Sequence, residues 1–260
     1  MKHTPRKRFG QHFLHDRQVI QHIIEVIAVA EPVPIIEIGP GKGALTVPLL
    51  KAKGSLDVIE IDRDLAAYLK DTCRDIGRLQ IHVADVLKFD LAGLGREKIK
   101  IVGNLPYNIS TPLVFHLLKD LNRIVCMVFM MQKEVVDRIC AEPDCADYGR
   151  LSVMVQSQCH VDRLFNIAPG SFTPPPKVES SLVRLTPKPI EQSSIRDRAL
   201  FSLIVKQAFN QRRKTVRNSL KGLVDEETFA RAGIASSARA ENISVDDYEK
   251  LTNILHDTHR

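Results

Sequence analysis

From Pro34 to Met131 short apolar runs alternate with segments whose apolar residues recur every three or four positions. The runs Ile35–Ile38, Leu56–Ile61, Leu79–Val83, Ile99–Val102 and Ile124–Met131 have the length and composition of buried strands. Between them Gly43–Ala52, Arg63–Asp71 and Thr111–Lys119 predict helices. Such alternation builds βαβ units, and hence an α/β fold with a parallel, doubly wound sheet and helices on both faces.

After residue 149 the pattern changes. Gly149–Cys159 predicts one more helix. Arg163–Ile167 and Val178–Leu185 are strand-like, separated by Pro169, Gly170 and the triplet Pro174–Pro176, and are expected to close the sheet as an antiparallel hairpin. Pro187, Pro189 and the polar stretch Glu191–Ser194 read as a linker. Beyond it only helical periodicity remains, with Phe201, Ile204, Val205, Ala208 and Phe209 on one face and Gly222 ending a basic helix over Lys206–Lys221. The expected division is a domain at 1–188 with a basic N-terminal arm, and a small all-helical domain at 189–260.

Composition adds mainly exclusions. With 44% hydrophobic and 26% charged residues, the 260-residue chain is neither disordered nor low-complexity. Its longest unbroken apolar run, Ile124–Met131, has eight residues, against about 18 needed to cross a bilayer. No apolar stretch follows the basic N-terminus, so no secretory signal is expected. The five cysteines (Cys73, Cys126, Cys140, Cys145 and Cys159) match no metal-ligand spacing, which points to reduced thiols, a cytoplasmic location and no metal.

Charge changes the picture once it is placed along the chain. Residues 1–17 carry Lys2, Arg6, Lys7, Arg8 and Arg17 against Asp16, a net of +4. Residues 206–221 carry Lys206, Arg212, Arg213, Lys214, Arg217 and Lys221 with no acid, a net of +6. The total is also +6, so the remaining body is acidic. Two basic patches on such a body suit a polyanion held at two places, the alternative being solvated helix faces. A membrane is disfavoured, because the chain has no Trp to anchor at an interface.

The candidate chemistry lies at the ends of the predicted strands. Glu37-Ile38-Gly39-Pro40-Gly41-Lys42-Gly43 places glycines where a backbone turns sharply toward a ligand. The spacing is not that of a P-loop. Glu60 ends the second strand, where an acid hydrogen-bonding ribose hydroxyls belongs. Together they indicate an adenosine-containing cofactor without choosing between NAD and S-adenosylmethionine. Asp85 follows the third strand and can either accept from an adenine amino group or cap a helix.

Asn104-Leu105-Pro106-Tyr107 follows the fourth strand and is more specific. An exocyclic amine is a poor nucleophile, because its lone pair is delocalised into the ring. The Asn104 amide oxygen and the Leu105 carbonyl can each accept one N–H, drawing the amine out of conjugation. Pro106 fixes the backbone that presents the carbonyl, and Tyr107 can stack on the base. Phe172, ahead of the stiff Pro174–Pro176 run, offers a second stacking face, with local packing as its other reading.

These residues resemble the ribosomal RNA adenine N6,N6-dimethyltransferase family over nearly the whole chain. Arg6 to Leu14, Glu37 to Thr46, Glu60 to Asp64, Asn104 to Pro112, Gln132 to Val135, Tyr148 to Ser152, Phe172 to Val178, Asn210 to Thr215 and Ala240 to Ser244 match its motifs. Relatives acting on large-subunit rRNA share the first domain; the matches at 148–152 and 210–215 favour the small-subunit branch. The resemblance implies a Rossmann-like methyltransferase domain that binds S-adenosylmethionine through His12, Leu14, Gly39, Gly41, Glu60, Asp85 and Asn104. It implies that Asn104, Leu105, Tyr107 and Phe172 hold the target adenine, and that two adjacent adenines near the 3′ end of 16S rRNA are dimethylated. Arg6, Lys7, Arg8, Arg212, Arg213, Lys214 and Arg217 would contact the rRNA of a pre-30S-like particle, the protein acting as a monomer. One departure is visible: His12 stands where many relatives have Asn. A ribosome-assembly factor without catalysis, and an adenine methyltransferase acting on DNA or another RNA, are the alternatives.

Overall fold

The computed structural model describes residues 11–192, 194–211 and 213–258. Its strands are β1 (Phe13–Leu14), β2 (Ile35–Ile38), β3 (Ser55–Glu60), β4 (Arg78–Val83), β5 (Ile99–Asn104), β6 (Ile124–Gln132), β7 (Cys159–Ile167), β8 (Phe172–Thr173) and β9 (Ser180–Pro187). Seven form one sheet in the order β4-β3-β2-β5-β6-β9-β7. From β4 to β6 every pair is parallel, and β9 then runs antiparallel to β6 with Met127 opposite Leu185. All four residues of β2 are buried, as a central parallel strand covered on both faces requires. The five parallel strands lie within two residues of their expected bounds.

The helices are α1 (Arg17–Ile27), α2 (Thr46–Lys53), α3 (Arg63–Thr72), α4 (Ser110–Leu117), α5 (Lys133–Cys140), α6 (Arg150–Gln156), α7 (Arg198–Phe209), α8 (Val216–Ser219), α9 (Glu226–Ala232) and α10 (Val245–Thr258). Ile23 and Ile27 of α1, Leu49 and Leu50 of α2 and Leu69 of α3 form one buried cluster with Ile35, Leu56, Val58 and Val102 of the sheet. Burial of such side chains stabilises by about 1.5–3 kcal/mol each.

Helix α1 was not expected: its apolar stripe follows directly on the basic arm. Asp16 caps it, accepting from Gln18 N at 3.0 Å and Val19 N at 3.2 Å. Those bonds hold the Asp16 carboxyl below its usual range. At the other end buried Lys100 of β5 donates to the Ile27 and Ala28 carbonyls, at 3.0 and 3.2 Å, and pairs with Glu31 at 2.8 Å. A cation on the terminal carbonyls complements the helix dipole and ties α1 to the sheet.

The chain forms two compact units: the described residues through Val136 with Asp162–Pro187, and Asp137–Val161 with the described residues from Lys188 onward. Residues 137–161 thus leave the first domain to which the sequence assigned them. The reason is long-range pairing: Tyr148 donates to the Ile243 carbonyl at 2.9 Å, and Asp144 N to that of Glu241 at 2.9 Å. The rings of Tyr148, Phe209 and Tyr248 meet at about 6 Å in the core of this unit.

Two further expectations are corrected. The helix expected at 149–159 ends at Gln156, and β7 begins at Cys159, four residues earlier than expected. The basic helix expected over 206–221 is two helices, α7 and α8, with Thr215 in extended backbone between them. Gly222, at φ +84°, follows the second.

Candidate active site

Chain order along the sheet reverses between β2 and β5: β3 and β4 lie to one side, β6 to the other. Loops leaving neighbouring strands in opposite directions open a crevice at their carboxyl ends, where ligands of open α/β sheets bind. A cavity of about 290 Å³ lies there. Its walls come from the loops after β2, β3, β4 and β5, together with the segment Gln11 to Leu14.

The loop after β2 is shaped by backbone. Gly41 has φ +57°, and a Cβ there would stand 3.2 Å from the Phe13 ring. Gly43 has φ +85°, and a Cβ would stand 2.9 Å from Leu69 Cδ2. A side chain at either position would be strained and crowded. Gly41 N donates to Glu60 Oε2 at 3.3 Å, and Asp62 N donates to Oε1 at 2.9 Å. Glu60 is 5% exposed, and burial pushes its pKa up while those N–H bonds oppose the rise.

Glu37, at the start of the glycine motif, is a site residue that the sequence pattern did not single out. It is 2% exposed and lines the cavity, and burial pushes its pKa up to about 8. The buried Thr46 hydroxyl lies beside it and opposes that rise, but burial outweighs it. The sequence signal was an acid inside an otherwise apolar buried strand, a placement that requires compensation. Asp85 lines the same cavity and caps the short turn Val86–Lys88, its Oδ1 accepting from Leu87 N at 3.0 Å. Its two readings are therefore compatible.

The loop after β5 is oriented by side chains from elsewhere. Gly103 lets β5 lie flush on β2, since a Cβ there would stand 2.5 Å from the Ile38 carbonyl. Asn104 Nδ2 donates to the His12 carbonyl at 3.0 Å. Only the amide's NH2 can serve that acceptor, so Oδ1 is the end left without a partner among the described residues. Leu105 N donates to the Met130 carbonyl at 3.0 Å, holding the strand-to-loop transition. The Tyr107 hydroxyl shares a 2.8 Å hydrogen bond with Ser180 Oγ, and its ring stacks on His12 at 5.5 Å and 28°. Burial pushes the Tyr107 phenol up, so it stays neutral.

The structure thus brings Asn104, Leu105, Pro106, Tyr107, His12, Leu14, Gly39, Gly41, Glu60 and Asp85 onto one cavity. Phe172 does not join them. It lies opposite Leu14 in the two-stranded β1-β8 pair and is 2% exposed within the core cluster. Strand alternation turns Thr173 outward and Phe172 inward, which is the packing reading.

The basic residues divide. Arg6, Lys7, Arg8 and Arg212 lie outside the described residues. Arg213 and Lys214 are exposed in the turn between α7 and α8. Arg217 is exposed on α8, with Nε 3.6 Å from Glu226 Oε2, an acid of the next helix that sequence proximity did not reveal. Among the described residues no group of three or more His, Cys, Asp or Glu could hold a metal ion, and no helix is long and apolar enough to cross a membrane.

The cavity's polar lining combines the buried carboxyls of Glu37 and Glu60, Asp85 and the Asn104 amide with Gln11, Lys42, Tyr107 and Asn108. The carboxyls and Asn104 Oδ1 offer acceptors to a ligand rich in N–H and O–H donors.

The family model described as ribosomal RNA adenine dimethylase matches residues 2–257. The ribosomal RNA small subunit methyltransferase A of Chromobacterium violaceum is 50% identical over 256 residues, 98% of this chain and 97% of that protein. Its namesake from Methylococcus capsulatus is 49% identical over 257 residues, covering 98% of this chain and all of that one. Among solved structures, a dimethyladenosine transferase from Plasmodium falciparum superposes with a TM-score of 0.80 at 26% identity, covering 92% of this chain and 96% of that one. The 23S rRNA methyltransferase ErmE superposes at 0.71 with 25% identity, over 94% and 99%.

Proposed function

This chain belongs to the ribosomal RNA adenine dimethylase family, and we propose the following division of labour within its site. The protein is an S-adenosylmethionine-dependent rRNA adenine dimethyltransferase that modifies N6 of two adjacent adenines near the 3′ end of small-subunit rRNA. When bound, S-adenosylmethionine supplies a sulfonium methyl group open to attack by an amine.

Glu60 accepts from the ribose hydroxyls and Asp85 from the cofactor's adenine amino group, while the Gly39 and Gly41 backbone gives the close approach. His12 and Leu14 wall the cavity from the N-terminal side. Glu37 places a carboxyl where a positively charged ligand favours its ionised form.

Asn104 Oδ1 and the Leu105 carbonyl each accept one N–H of the target adenine, so the N6 lone pair turns out of the ring. Pro106 holds that carbonyl in place, and Tyr107 stacks on the base. Positioning and electrostatics supply the rate, because the attacked nitrogen becomes cationic and releases its proton without a strong base. The observation that carries this reading is the Asn104 amide, whose NH2 is spent on the His12 carbonyl and whose oxygen therefore remains for the substrate.

The substrate is small-subunit rRNA in an assembling pre-30S-like particle, recognised by shape as well as by the pocket. Arg213, Lys214 and Arg217, with Arg212 and the arm residues Arg6, Lys7 and Arg8, neutralise its phosphates, so binding weakens as salt rises. The protein acts as a monomer, since one chain supplies every group given a role. It works in the cytoplasm, consistent with five cysteines that form no disulfide among the described residues.

The test is transfer of labelled methyl from S-adenosylmethionine to small-subunit particles lacking the modification, with large subunits and duplex DNA as controls. Dimethyladenosine from the small-subunit particles alone is the expected product. Tight particle binding without transfer would leave an assembly factor.

A further inference from the structure

Taking one base into the pocket uncovers the next. Once the target adenine lies against Asn104 and Tyr107, the adjacent base has lost a stacking partner and turns an apolar face to water. In the proposed reaction that adjacent base is the other target adenine. The fold holds an apolar side chain beside Tyr107 that suits this face.

Val178 is 46% exposed, although the chain around it is fixed. Pro176, two residues before it, is buried, and so is Ser180, two residues after it. Ser180 pairs with Gln132 of β6, and Lys133 N donates to the Glu179 carbonyl at 3.0 Å. Earlier in the same loop the Pro174 carbonyl meets His12 Nδ1 at 2.7 Å. The side chain therefore stands in water on a backbone that is tied at both ends.

Its position is set by Tyr107. The Tyr107 hydroxyl shares a 2.8 Å hydrogen bond with Ser180 Oγ, and two residues of chain span at most about 7 Å. Val178 thus lies next to the substrate end of the cavity without lining it. Among the described residues of this unit, the other large exposed apolar side chains are Ile61, Tyr68 and Val83. Those three lie on or beyond β3 and β4, on the opposite side of the switch point. Both chain neighbours of Val178 are exposed and charged. Lys177 offers a cation to the phosphate that joins the two adenosines, whereas Glu179 repels it, so the phosphate belongs on the Lys177 side.

We propose that Val178 covers the free face of the neighbouring adenine while its partner is methylated, and so favours a target that has a base beside it. The proposal rests on the adenine dimethylation reading above.

The test crosses the protein with the RNA. Val178→Ser removes the apolar cover at an exposed position, and Val178→Ile keeps it. Small-subunit particles are reassembled with rRNA carrying either the intact adenine pair, or an abasic nucleotide or a uracil in place of one adenine. The readout is the initial rate of methyl transfer at saturating S-adenosylmethionine and limiting particles, expressed as each variant's rate relative to the unvaried protein on the same particle. A general loss of active protein lowers that ratio equally on every particle.

On the intact pair the expected rate falls about three- to tenfold in Val178→Ser and stays within about twofold in Val178→Ile. On abasic particles the expected Val178→Ser ratio returns to within about twofold of unity, because no base remains to be covered. Uracil, a smaller base, is expected to give an intermediate ratio. An unchanged rate on the intact pair overturns the proposal, and so does an equal loss on all three particles, which would assign the effect to the loop itself. If the abasic particles accept no methyl group even from the unvaried protein, the comparison of adenine with uracil decides, and equal losses there overturn the proposal. Absence of any transfer by the unvaried protein to the intact pair is a separate outcome, in which the dimethylation reading has failed.

Discussion

Two loops leave the sheet on either side of its switch point, and they are shaped by opposite means. The loop after β2 takes its form from glycines in left-handed backbone and from contacts that leave no room for a Cβ. The loop after β5 takes its form from partners far along the chain: the His12 carbonyl for Asn104, 92 residues away, and Ser180 for Tyr107, 73 residues away. The first is therefore sensitive to bulk at a few positions. The second is sensitive to the loss of single hydrogen bonds that need not disturb the fold. A cofactor cradle and a substrate clamp can in this way be broken separately.

The largest expected effect is on the clamp. Asn104→Ala removes an acceptor that acts on the reacting amine and should lower the methyl-transfer rate about 100- to 1,000-fold, while the lost bond to the His12 carbonyl costs only about 1 kcal/mol of stability. A rate within tenfold of the unvaried protein would remove Asn104 from the chemistry. Gly43→Ala strikes the cradle instead: a Cβ 2.9 Å from Leu69 Cδ2, at φ +85°, should cost roughly 2–4 kcal/mol in urea unfolding.

Glu37 tests the electrostatics beneath the cradle. Its carboxyl is protonated in both states below its ordinary pKa of 4.5; above that the unfolded chain releases the proton while the folded protein holds it up to about pH 8. The ligand-free protein therefore loses stability as pH rises through that window. Glu37→Gln should reduce the loss between pH 5 and 8 by roughly 2–4 kcal/mol, read from urea midpoints across pH. An identical pH slope in both proteins would contradict the buried, protonated state. The smallest effect belongs to Ser180→Ala, which frees the Tyr107 hydroxyl at a cost of about 1 kcal/mol and should slow transfer only a few-fold.

The same contrast explains what the sequence made legible. The five parallel strands, the glycine turns, Glu60 and the Asn104 tetrapeptide follow from nearest-neighbour pattern and spacing, because each is decided within a few residues. What escaped was decided at long range. The β1-β8 strap consists of two residues on each side, too short for any periodicity to register. Phe172 kept two readings, stacking and packing, because its loop was legible and its partner strand was not. Glu37 was visible as a residue, but its burial depends on strands on both sides of β2. Residues 137–161 joined the second unit through Tyr148 and Asp144, whose partners lie about 95 residues on. The unbroken basic helix was an artefact of counting charge without the turn that precedes Thr215.

The separation of cradle from clamp is tested most directly by one crossed measurement. The dissociation constant of S-adenosylmethionine and the single-turnover transfer rate at saturating cofactor would be determined for Glu60→Gln and Asn104→Ala side by side. The account predicts a weaker dissociation constant with a nearly preserved saturated rate for Glu60→Gln. For Asn104→Ala it predicts a rate lowered about 100-fold or more, with a dissociation constant within about fivefold of the unvaried protein. Both variants moving the same parameter would contradict it, showing that the two loops act as one device.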